Sequence, residues 1–355
     1  MNKKYLNLMC PIGGDNLGYI SLNILLSLKN NEINTSLFPI MVDHKISFND
    51  DNDLSICTGA IRYSRNFTYK SPSLKIWHPH DLAVKPGKGK YYALIIPNSD
   101  DLTAAEIHHI NYTDGILVNS QWAKNILEKH KIKPKIHMIN FGVNEKIFNP
   151  NIAHNHSDKY IFYTTGSWSL SNGYDFLIKA FSLAFEPKDN VELRLLPSNT
   201  NLSENEEHKW LQSIENSIMK NNIHLFNRLQ SQYEVSQFIA DADCLLSLQR
   251  ISSTGTSLLE AMSMQKPIIA INCGVVSDYP ENDNFFRIPV DSYEKAYDDR
   301  IYYGESKWPK LDDKILDNAI DHMRFLYKNN IKNAKYDIGT YDWNKAGEQL
   351  ANILY

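Results

Sequence analysis

The chain has 355 residues, of which 43% are hydrophobic and 22% are charged, and its net charge at pH 7 is −4. This is the composition of a folded globular protein with room for two domains, and it excludes a disordered or collagen-like chain. No apolar run reaches the roughly 18 residues of a membrane-spanning helix, and the apolar stretch near the N-terminus is too short and interrupted for a secretory signal.

Charge is distributed unevenly along the chain. Residues 1–150 carry 17 Lys and Arg against 13 Asp and Glu, net +4, whereas residues 151–355 carry 20 against 28, net −8. An anionic partner or membrane surface facing the first half fits this asymmetry, and so do simply solvated faces.

The cysteines lie in or beside apolar runs without metal-type spacing, so we expect buried reduced thiols in a cytoplasmic protein. They are Cys10, Cys57, Cys244 and Cys273.

Strands and helices alternate through the first half of the chain. The predicted strands are Tyr5–Cys10, Leu37–Val42, Leu74–Trp77, Tyr92–Ile96, Gly115–Asn119 and Ile136–Asn140. The predicted helices are Tyr19–Lys29, Leu102–Asn111 and one that Ser120 caps and that runs to about Lys131. The polar run 151–159 is the predicted linker.

The second half continues the same alternation. The predicted strands are Tyr160–Thr165, Val191–Leu196, Ile223–Phe226, Cys244–Leu248 and Ile268–Ile271. The predicted helices are Gly173–Phe185, a short one carrying Glu260, and Trp343–Leu354. Such alternation predicts an α/β protein with two doubly wound parallel sheets.

Arg250 to Asn272, RISSTGTSLLEAMSMQKPIIAIN, is the most informative segment. It lies between two apolar strand patterns and reads as a polar loop, a short helix and a strand, which is one βαβ turn. The loop would lie at the carboxyl end of the first strand, where open α/β sheets bind ligands. The helix N-terminus would bind a phosphate, and Glu260 would accept hydrogen bonds from ribose hydroxyls. The segment therefore predicts a nucleotide site.

This segment resembles the donor site of two-domain, retaining nucleotide-sugar glycosyltransferases of the GT-B architecture (family 4, glycosyl transferases group 1). The matching residues are Arg250, Gly255, Glu260, Ala261, Met262 and Pro267. Two further stretches resemble the same group, DGILVNSQWAKNILEKHKI and INFGVNEKIFNP (Ile139–Pro150). The resemblance implies two Rossmann-like domains facing across a cleft, 1–150 on the acceptor side and 151–340 on the donor side. It also implies that a last helix, 341–355, packs on the first domain.

The resemblance further implies a set of donor-binding residues. Glu260 would bind the ribose, the loop and helix start Gly255, Thr256, Ser257 and Leu258 the diphosphate, and Asp278 the donor sugar. Glycines of two other loops, Gly13, Gly14, Gly166 and Gly173, would approach the donor, and the base would lie near Phe226–Leu229.

Three positions depart from the family pattern. Ser167, Asn172 and Ser252 stand where the family usually has an Arg, a Lys and the first Glu. Because transfer needs positive charge near the departing diphosphate, other cations are expected to compensate. The candidates are Arg228, Arg250 and Lys266.

The segment WHPHDLA places two histidines and an aspartate after a predicted strand. The resemblance implies that His78 or His80, with Asp81 nearby, contacts the transferred sugar. HxHD also suggests a metal, but no third ligand cluster accompanies it, so we expect none. His108 and His109 are expected to face solvent from the middle of a helix.

The implied function is the retaining transfer of a hexose or pentose from a UDP- or GDP-sugar, without cofactor or metal. The acceptor would be a glycan or lipid-linked saccharide, and the first domain could touch the inner face of the membrane peripherally. Alternatives are a catalytically silent GT-B protein that binds nucleotide sugar or glycan, a glycosyltransferase acting on a modified nucleobase, and another nucleotide-sugar enzyme such as an epimerase. Nucleic acid is not an expected partner because no nucleic-acid-binding motif is present.

Overall fold

A computed structural model describes residues 3–42, 51–155, 157–197, 203–229, 231–298 and 302–355. The chain separates into two compact units, one formed by Met1–Asn144 with Gly339–Tyr355 and the other by Glu145–Ile338. The boundaries predicted from the sequence, at residues 150 and 340, follow the ends of motifs. The boundaries in the structure, after Asn144 and Ile338, separate the two groups of residues that contact one another.

Each unit contains a six-stranded sheet, counted over the described residues, in which all pairings are parallel. The first sheet has the order β2-β1-β3-β4-β5-β6. Its strands are β1 (Lys4–Ile12), β2 (Ile33–Val42), β3 (Ser73–Ile76), β4 (Tyr91–Leu94), β5 (Gly115–Val118) and β6 (Lys135–Met138).

The second sheet has the order β12-β11-β10-β7-β8-β9. Its strands are β7 (Tyr160–Gly166), β8 (Val191–Pro197), β9 (Ile223–Leu225), β10 (Cys244–Ser247), β11 (Ile268–Ile271) and β12 (Phe285–Ile288). An antiparallel hairpin follows, formed by β13 (Tyr293–Tyr297) and β14 (Tyr303–Pro309).

Helices connect the strands and cover the sheets. They are α1 (Asn16–Asn30), α2 (Asp51–Tyr63), α3 (Ala104–Ile110), α4 (Gln121–Lys129), α5 (Tyr174–Ala184), α6 (Glu204–Glu215), α7 (Gln232–Ala240), α8 (Thr256–Ser263), α9 (Asp313–Lys328) and α10 (Trp343–Leu354). Short 3-10 turns occur at Ser64–Asn66, Lys220–Asn222 and Val275–Asp278.

The sequence of the central strands explains the parallel sheets. All four residues of β10 (CLLS) are buried, as are all four residues of β3 (SLKI). Strands covered on both faces by helices need such continuous burial. The predicted cap of α4 is confirmed, because the Ser120 hydroxyl accepts a hydrogen bond from the Ala123 N–H.

The connections place the helices of the second unit on both faces of its sheet. From β7 the chain passes through α5 to β8, whereas from β10 it passes through α8 to β11, in the opposite direction across the sheet. Because such crossovers are right-handed, α5 and α8 lie on opposite faces. The apolar cluster under α5 and α9 accordingly includes no described residue of α8. The topological switch point therefore lies between the adjacent strands β7 and β10.

The first unit has the same kind of switch point. The chain passes from β1 through α1 to β2 on one side, and from β4 through α3 to β5 on the other. The switch point lies between β1 and β3, which pair directly. Ligands of open α/β sheets bind in the crevice at such points, beyond the carboxyl ends of the strands.

Four helices (α2, α6, α7 and α9), the strand β12 and the hairpin lie where we predict no element from the sequence. Helix α6 is polar almost throughout, and Ile214 is its buried residue. Its start nevertheless carries a sequence signal, a capping box in which Ser203 and Glu206 bond reciprocally. Helix α9 buries Ile315, Leu316 and Ala319 at helical spacing, the periodicity that could have identified it.

Candidate functional site

The two loops at the switch point of the second unit are joined directly. The loop after β7 covers residues 167–172, and the loop after β10 covers residues 248–254. The Arg250 N–H donates to the Ser171 carbonyl oxygen at 2.9 Å. The sequence-predicted donor residues of both loops therefore meet at one edge of the sheet.

The loop after β7 is closed by its own side chains. The Asn172 amide donates to the Ser167 carbonyl oxygen at 2.7 Å, and the Ser169 and Ser171 hydroxyls are 2.9 Å apart. Ser167 and Asn172, at the positions of the family's Arg and Lys, thus hold the shape of the loop. They bring no charge to it.

Gly173 ends this loop in a conformation that requires glycine. Its φ is +67°, and a Cβ there would lie 1.9 Å from the Leu248 carbonyl oxygen. Gly166, at the end of β7, also has a positive φ, of +123°. The close approach of Gly173 to Leu248 brings the start of α5 against the end of β10.

Helices α5 and α8 both begin without a side-chain cap. Their N-cap residues, Gly173 and Gly255, are left-handed glycines that offer no side-chain acceptor. The other α-helices with a described N-cap residue each have a side-chain acceptor there, namely Asp15, Thr103, Ser120, Ser203, Ser231, Asp312 and Asp342. Two adjacent loops thus present helix starts that no side chain of the described residues caps, the arrangement that binds phosphate.

The start of α8 is tightly packed. A Cβ on Gly255 would lie 2.0 Å from the Tyr279 hydroxyl, which donates to the Gly255 carbonyl oxygen at 3.2 Å. Thr256 and Leu258 are buried and Ser257 is partly exposed. Ser252 is buried in a bridge to Gly274, so it helps to join the loop after β10 to the loop after β11.

Glu260 lies in α8 with an unsatisfied carboxylate. It is partly exposed, and no hydrogen bond or ion pair joins its carboxylate to another described residue. Burial raises the pKa of Glu260 to about 8. A half-buried carboxyl without donors can accept hydrogen bonds from the hydroxyl groups of a ligand.

Arg250 is engaged inside the second unit. It is 7% exposed, and its guanidinium lies 3.4 Å from both Asp175 oxygens and 3.7 Å from Glu294. It also donates to the Leu170 carbonyl oxygen and stacks on Trp308, 5.1 Å from the ring centroid. This differs from the predicted phosphate-facing cation, because two carboxylates already neutralise the guanidinium.

The other compensating cations lie at different places. The Lys266 ammonium donates to the Ala240 and Ala242 carbonyl oxygens. Lys266 precedes β11, so it lies at the amino edge of the sheet, opposite the site, and the prediction that it compensates is wrong. Arg228 and Leu229 follow β9 at the carboxyl edge, both partly buried.

Asp278 lies in the 3-10 turn after β11 and is partly exposed. Its carboxylate lies 3.3 Å from the Ser277 hydroxyl. The turn follows a strand next to β10, so Asp278 belongs to the same edge of the sheet as the two loops.

In the first unit, the predicted residues lie on the loops that flank its switch point. Gly13 and Gly14 follow β1, and the loop folds closely onto α1, since a Cβ on Gly18 would lie 2.3 Å from the Gly13 carbonyl oxygen. His78 and His80 follow β3 with their rings stacked 5.6 Å apart.

Charged groups surround these histidines. Asp81 pairs with the buried Lys75 at 3.5 Å. Burial, with the charge of His80, lowers the pKa of His78, while the carboxylates of Asp15, Glu106 and Asp81 oppose the shift. Across the described ranges, no group of three or more His, Cys, Asp or Glu is arranged to hold a metal ion.

The prediction for the second histidine pair is partly wrong. His108 is exposed, as expected. His109 is instead partly buried, and its Nδ1 accepts a hydrogen bond from the Leu82 N–H at 3.3 Å.

Several residues near the site could not be recognised from the sequence. Asp175 and Glu294 are the partners of Arg250, and the buried hydroxyls of Tyr163 and Ser247 have no hydrogen-bond partner among the described residues. Tyr163 is embedded in the apolar run of β7 and has no motif of its own.

The helices of the described residues are all too short or too polar to cross a membrane.

Comparison with known proteins agrees with this architecture. Residues 144–319 match the protein family described as Glycosyl transferases group 1. An uncharacterized glycosyltransferase of Methanocaldococcus jannaschii is 22% identical over 242 residues, which are 65% of this chain and 56% of that protein. The match therefore spans little more than half the length of this relative.

Solved structures resemble the whole chain. Sucrose-phosphate synthase from Thermosynechococcus elongatus superposes with a TM-score of 0.66 at 11% identity, covering 99% of this chain and 95% of that chain. A glycosyltransferase from Rickettsia africae superposes with a TM-score of 0.65 at 15% identity, covering 100% of this chain and 98% of that chain. HepE from Anabaena, solved with UDP and glucose, superposes with a TM-score of 0.63 at 13% identity, covering 99% of both chains.

The fold of this chain is thus GT-B, with two Rossmann-like units of parallel sheet and flanking helices. The family match covers residues 144–319, the part of the second unit that contains Glu260 and both glycine-capped helices. Through residues 144–319, just under half of the chain, this protein is similar to the family described as Glycosyl transferases group 1, and its two units have the GT-B fold.

Proposed function

We propose that this protein transfers a sugar from a nucleoside-diphosphate sugar to a hydroxyl acceptor, with retention of configuration. The observation that carries the proposal is the unpaired Glu260 carboxylate beside two uncapped helix starts at one switch point. The carboxylate would accept hydrogen bonds from the ribose, and the helix N–H groups would bind the diphosphate.

In the proposed reaction, the bond from the anomeric carbon to the diphosphate oxygen breaks and a bond to the acceptor oxygen forms. Negative charge then develops on the departing diphosphate. With Ser167 and Asn172 uncharged and Arg250 neutralised, the N–H groups at the starts of α5 and α8 would stabilise that charge. Arg228 follows β9 at the carboxyl edge of the same sheet, and the proposed reaction uses no metal.

The donor and acceptor are narrower parts of this proposal. HepE has been solved with UDP and glucose and with UDP-glucose, which makes UDP-sugars the first donors to test. The positive charge of the first 150 residues favours a glycan or lipid-linked saccharide with anionic groups, met at the inner face of the cytoplasmic membrane.

Calorimetric titration with UDP-, GDP-, ADP- and CMP-sugars, with and without magnesium, tests the proposal. We expect one nucleotide to bind at low micromolar affinity without magnesium and to be hydrolysed slowly. Glu260→Gln should weaken that binding by about tenfold or more, because the amide accepts ribose hydrogen bonds less well than a carboxylate. The exposed Glu207, on α6, supplies the control Glu207→Gln, which should bind normally. Equal affinity in wild type and Glu260→Gln would remove the basis of the proposal.

A catalytically silent protein that binds the same ligand is the second candidate. The uncharged Ser167, Asn172 and Ser252 favour it, because these positions supply charge in the family pattern. The same titrations separate the two candidates. Binding without release of free sugar from any donor, even after prolonged incubation with glycan acceptors, would support the silent protein.

A further inference from the structure

Charge in the first unit is divided between the two edges of its sheet. The described segments that lead into the strands, at the amino edge, contain seven lysines and two acidic residues, Glu32 and Asp114. These segments are residue 3 and residues 31–32, 67–72, 83–90, 111–114 and 130–134. The described loops at the carboxyl edge contain four aspartates and neither lysine nor arginine, in residues 13–15, 77–82, 95–103, 119–120 and 139–144. The positive segments therefore lie opposite the edge where sheets of this type bind their ligands.

Hydrogen bonds join the amino-edge loops into one continuous surface. The Lys88 N–H donates to the Tyr69 carbonyl oxygen at 2.8 Å, which joins the loops before β3 and β4. The Asp114 carboxylate accepts from the first N–H of β4 at 2.7 Å, which holds the next loop against them. The Lys133 N–H donates to the Asn111 side chain at 2.8 Å, which adds the loop before β6. The lysines of these loops thus share one side of the first unit.

Large exposed side chains lie among these lysines. Tyr69, Val84 and Tyr112 are 52%, 62% and 62% exposed. Tyr5 and Tyr355 are exposed at the start of β1, where the Tyr355 hydroxyl donates to the Tyr5 carbonyl oxygen at 2.6 Å. At a membrane interface, tyrosine rings lie at the level of the headgroups and lysines contact anionic lipids. The amino edge therefore carries both kinds of side chain that such an interface binds.

We propose that the amino edge of the first sheet is a docking surface for an anionic lipid membrane. The lysines contact the headgroup phosphates, and the exposed tyrosines and Val84 enter the headgroup region. A soluble polyanion would match the lysines but would leave Val84 in water, so a lipid surface accounts for both features. The membrane as partner rests on the proposed lipid-linked acceptor, but the docking surface itself needs neither donor nor acceptor.

Sedimentation of the full chain with lipid vesicles tests the charged part of this surface. We expect binding to vesicles of phosphatidylcholine and phosphatidylglycerol in equal amounts, weakened by added salt, and none to phosphatidylcholine alone. Replacing Lys70, Lys88 and Lys90 together with glutamine should weaken binding roughly a hundredfold, because each lysine near an anionic surface strengthens binding about fivefold. Absence of binding to the anionic vesicles would overturn the proposal.

Lys179, Lys209 and Lys328 supply the matched control. They are exposed on the second unit, so their replacement with glutamine changes the net charge by the same amount. This control variant should bind the anionic vesicles as tightly as wild type. An equal loss of binding in the two triple variants would show that overall charge, rather than the amino edge, holds the protein on the vesicles, and would overturn the proposal.

A variant that combines Val84→Ser and Tyr112→Ser tests the apolar part of the surface at constant charge. Vesicle binding should fall about tenfold, because these side chains no longer leave water on docking. Tyr233→Ser, at a position of α7 that is 53% exposed, is the control and should bind normally. Unchanged binding in the double variant would show a purely electrostatic contact, as with an anionic polymer, and would overturn the assignment to a lipid surface.

Nucleotide-sugar titrations separate this inference from the proposed function. The triple variant of Lys70, Lys88 and Lys90 should keep the wild-type affinity for the donor, because the amino edge lies opposite the edge where ligands bind. Vesicle binding with the expected losses, in a protein that binds none of the nucleotide sugars, would leave the docking surface intact and refute the proposed transfer. Donor binding without vesicle binding would do the reverse.

Discussion

At the scale of single residues, Glu260 combines two properties that rarely occur together. It is half-buried, yet none of the described residues donates to its carboxylate. Burial alone therefore determines its titration and raises its pKa to about 8. A carboxylate kept for structure would be paired with a cation or with backbone N–H groups, as Asp243 is paired with Lys332 and with the Ile161 N–H.

This raised pKa makes stability fall as pH rises. Below pH 4.5 the carboxyl is neutral in both states, and between 4.5 and about 8 the folded protein keeps a proton that the unfolded chain has lost. The stabilisation is thus complete at acid pH and lost as pH rises through about 8. Glu260→Gln mimics the neutral acid, so its Tm should overtake that of wild type as the pH is raised from 5 to 9. Parallel Tm curves for the two proteins would contradict the raised pKa, and Glu207→Gln should follow wild type throughout.

At the scale of elements, Arg250 connects three parts of the second unit. It lies in the loop after β10, bonds to the loop after β7 and to Asp175 of α5, and contacts Glu294 and Trp308 of the hairpin. The Trp308 indole N–H donates to Glu294 at 3.1 Å, which fixes the hairpin side of this contact. One buried guanidinium therefore positions the closed, uncharged loop against the hairpin.

Arg250→Met should separate these elements while keeping an apolar stem. Two carboxylates would lose their cation, and we expect a loss of about 2 kcal/mol, less than for fully buried pairs because both carboxylates are partly exposed. Hydrogen exchange should accelerate in residues 167–172, 293–297 and 303–309. Arg324→Met removes hydrogen bonds to the Leu183 and Ala184 carbonyl oxygens, away from the hairpin strands, and serves as the control. Unchanged protection of the hairpin in Arg250→Met would contradict this connecting role.

At the scale of the whole molecule, the end of the chain completes the first unit. Helix α10 packs on α1, and Trp343 contacts Tyr19 edge-on at 6.1 Å and Phe141 at 5.7 Å. Gly347 is the point of closest approach, because a Cβ there would lie 2.6 Å from the Asn31 amide and 2.9 Å from Ser27. The final residues thus belong to the core of the unit in which the chain begins.

Gly347→Leu tests this packing. Leucine favours helix more than glycine does, so α10 itself would gain stability, but the side chain has no space against α1. We expect a net loss of about 1–3 kcal/mol, the usual cost of overpacking, in urea unfolding. Glu348→Ala, at the exposed neighbouring position, should be nearly neutral. A stabilised Gly347→Leu protein would show that α10 does not pack closely on α1.

The sequence by itself determined the two parallel sheets and the resemblance to glycosyl transferases group 1, because buried strands and glycine-rich loops are local patterns with a fixed period and spacing. It also predicted that the loops around Gly166 and Gly255 carry the donor site, a prediction that the binding experiments above test. Helices such as α6 were not predicted, because a mostly polar helix has little apolar periodicity.

Only the tertiary structure decided which cationic side chains are paired with carboxylates and at which edge of the sheet each one lies. From the sequence, Arg250 and Lys266 are both candidate cations near a nucleotide motif, but folding brings two carboxylates to the first and places the second at the opposite sheet edge. Tyr163 lies 75 positions before Phe238, and only the pairing of β7 with β10 and the crossover through α7 bring the two rings together. Partnership between charged or hydroxyl groups distant in sequence depends on strand order and crossover handedness, which no local pattern of residues encodes.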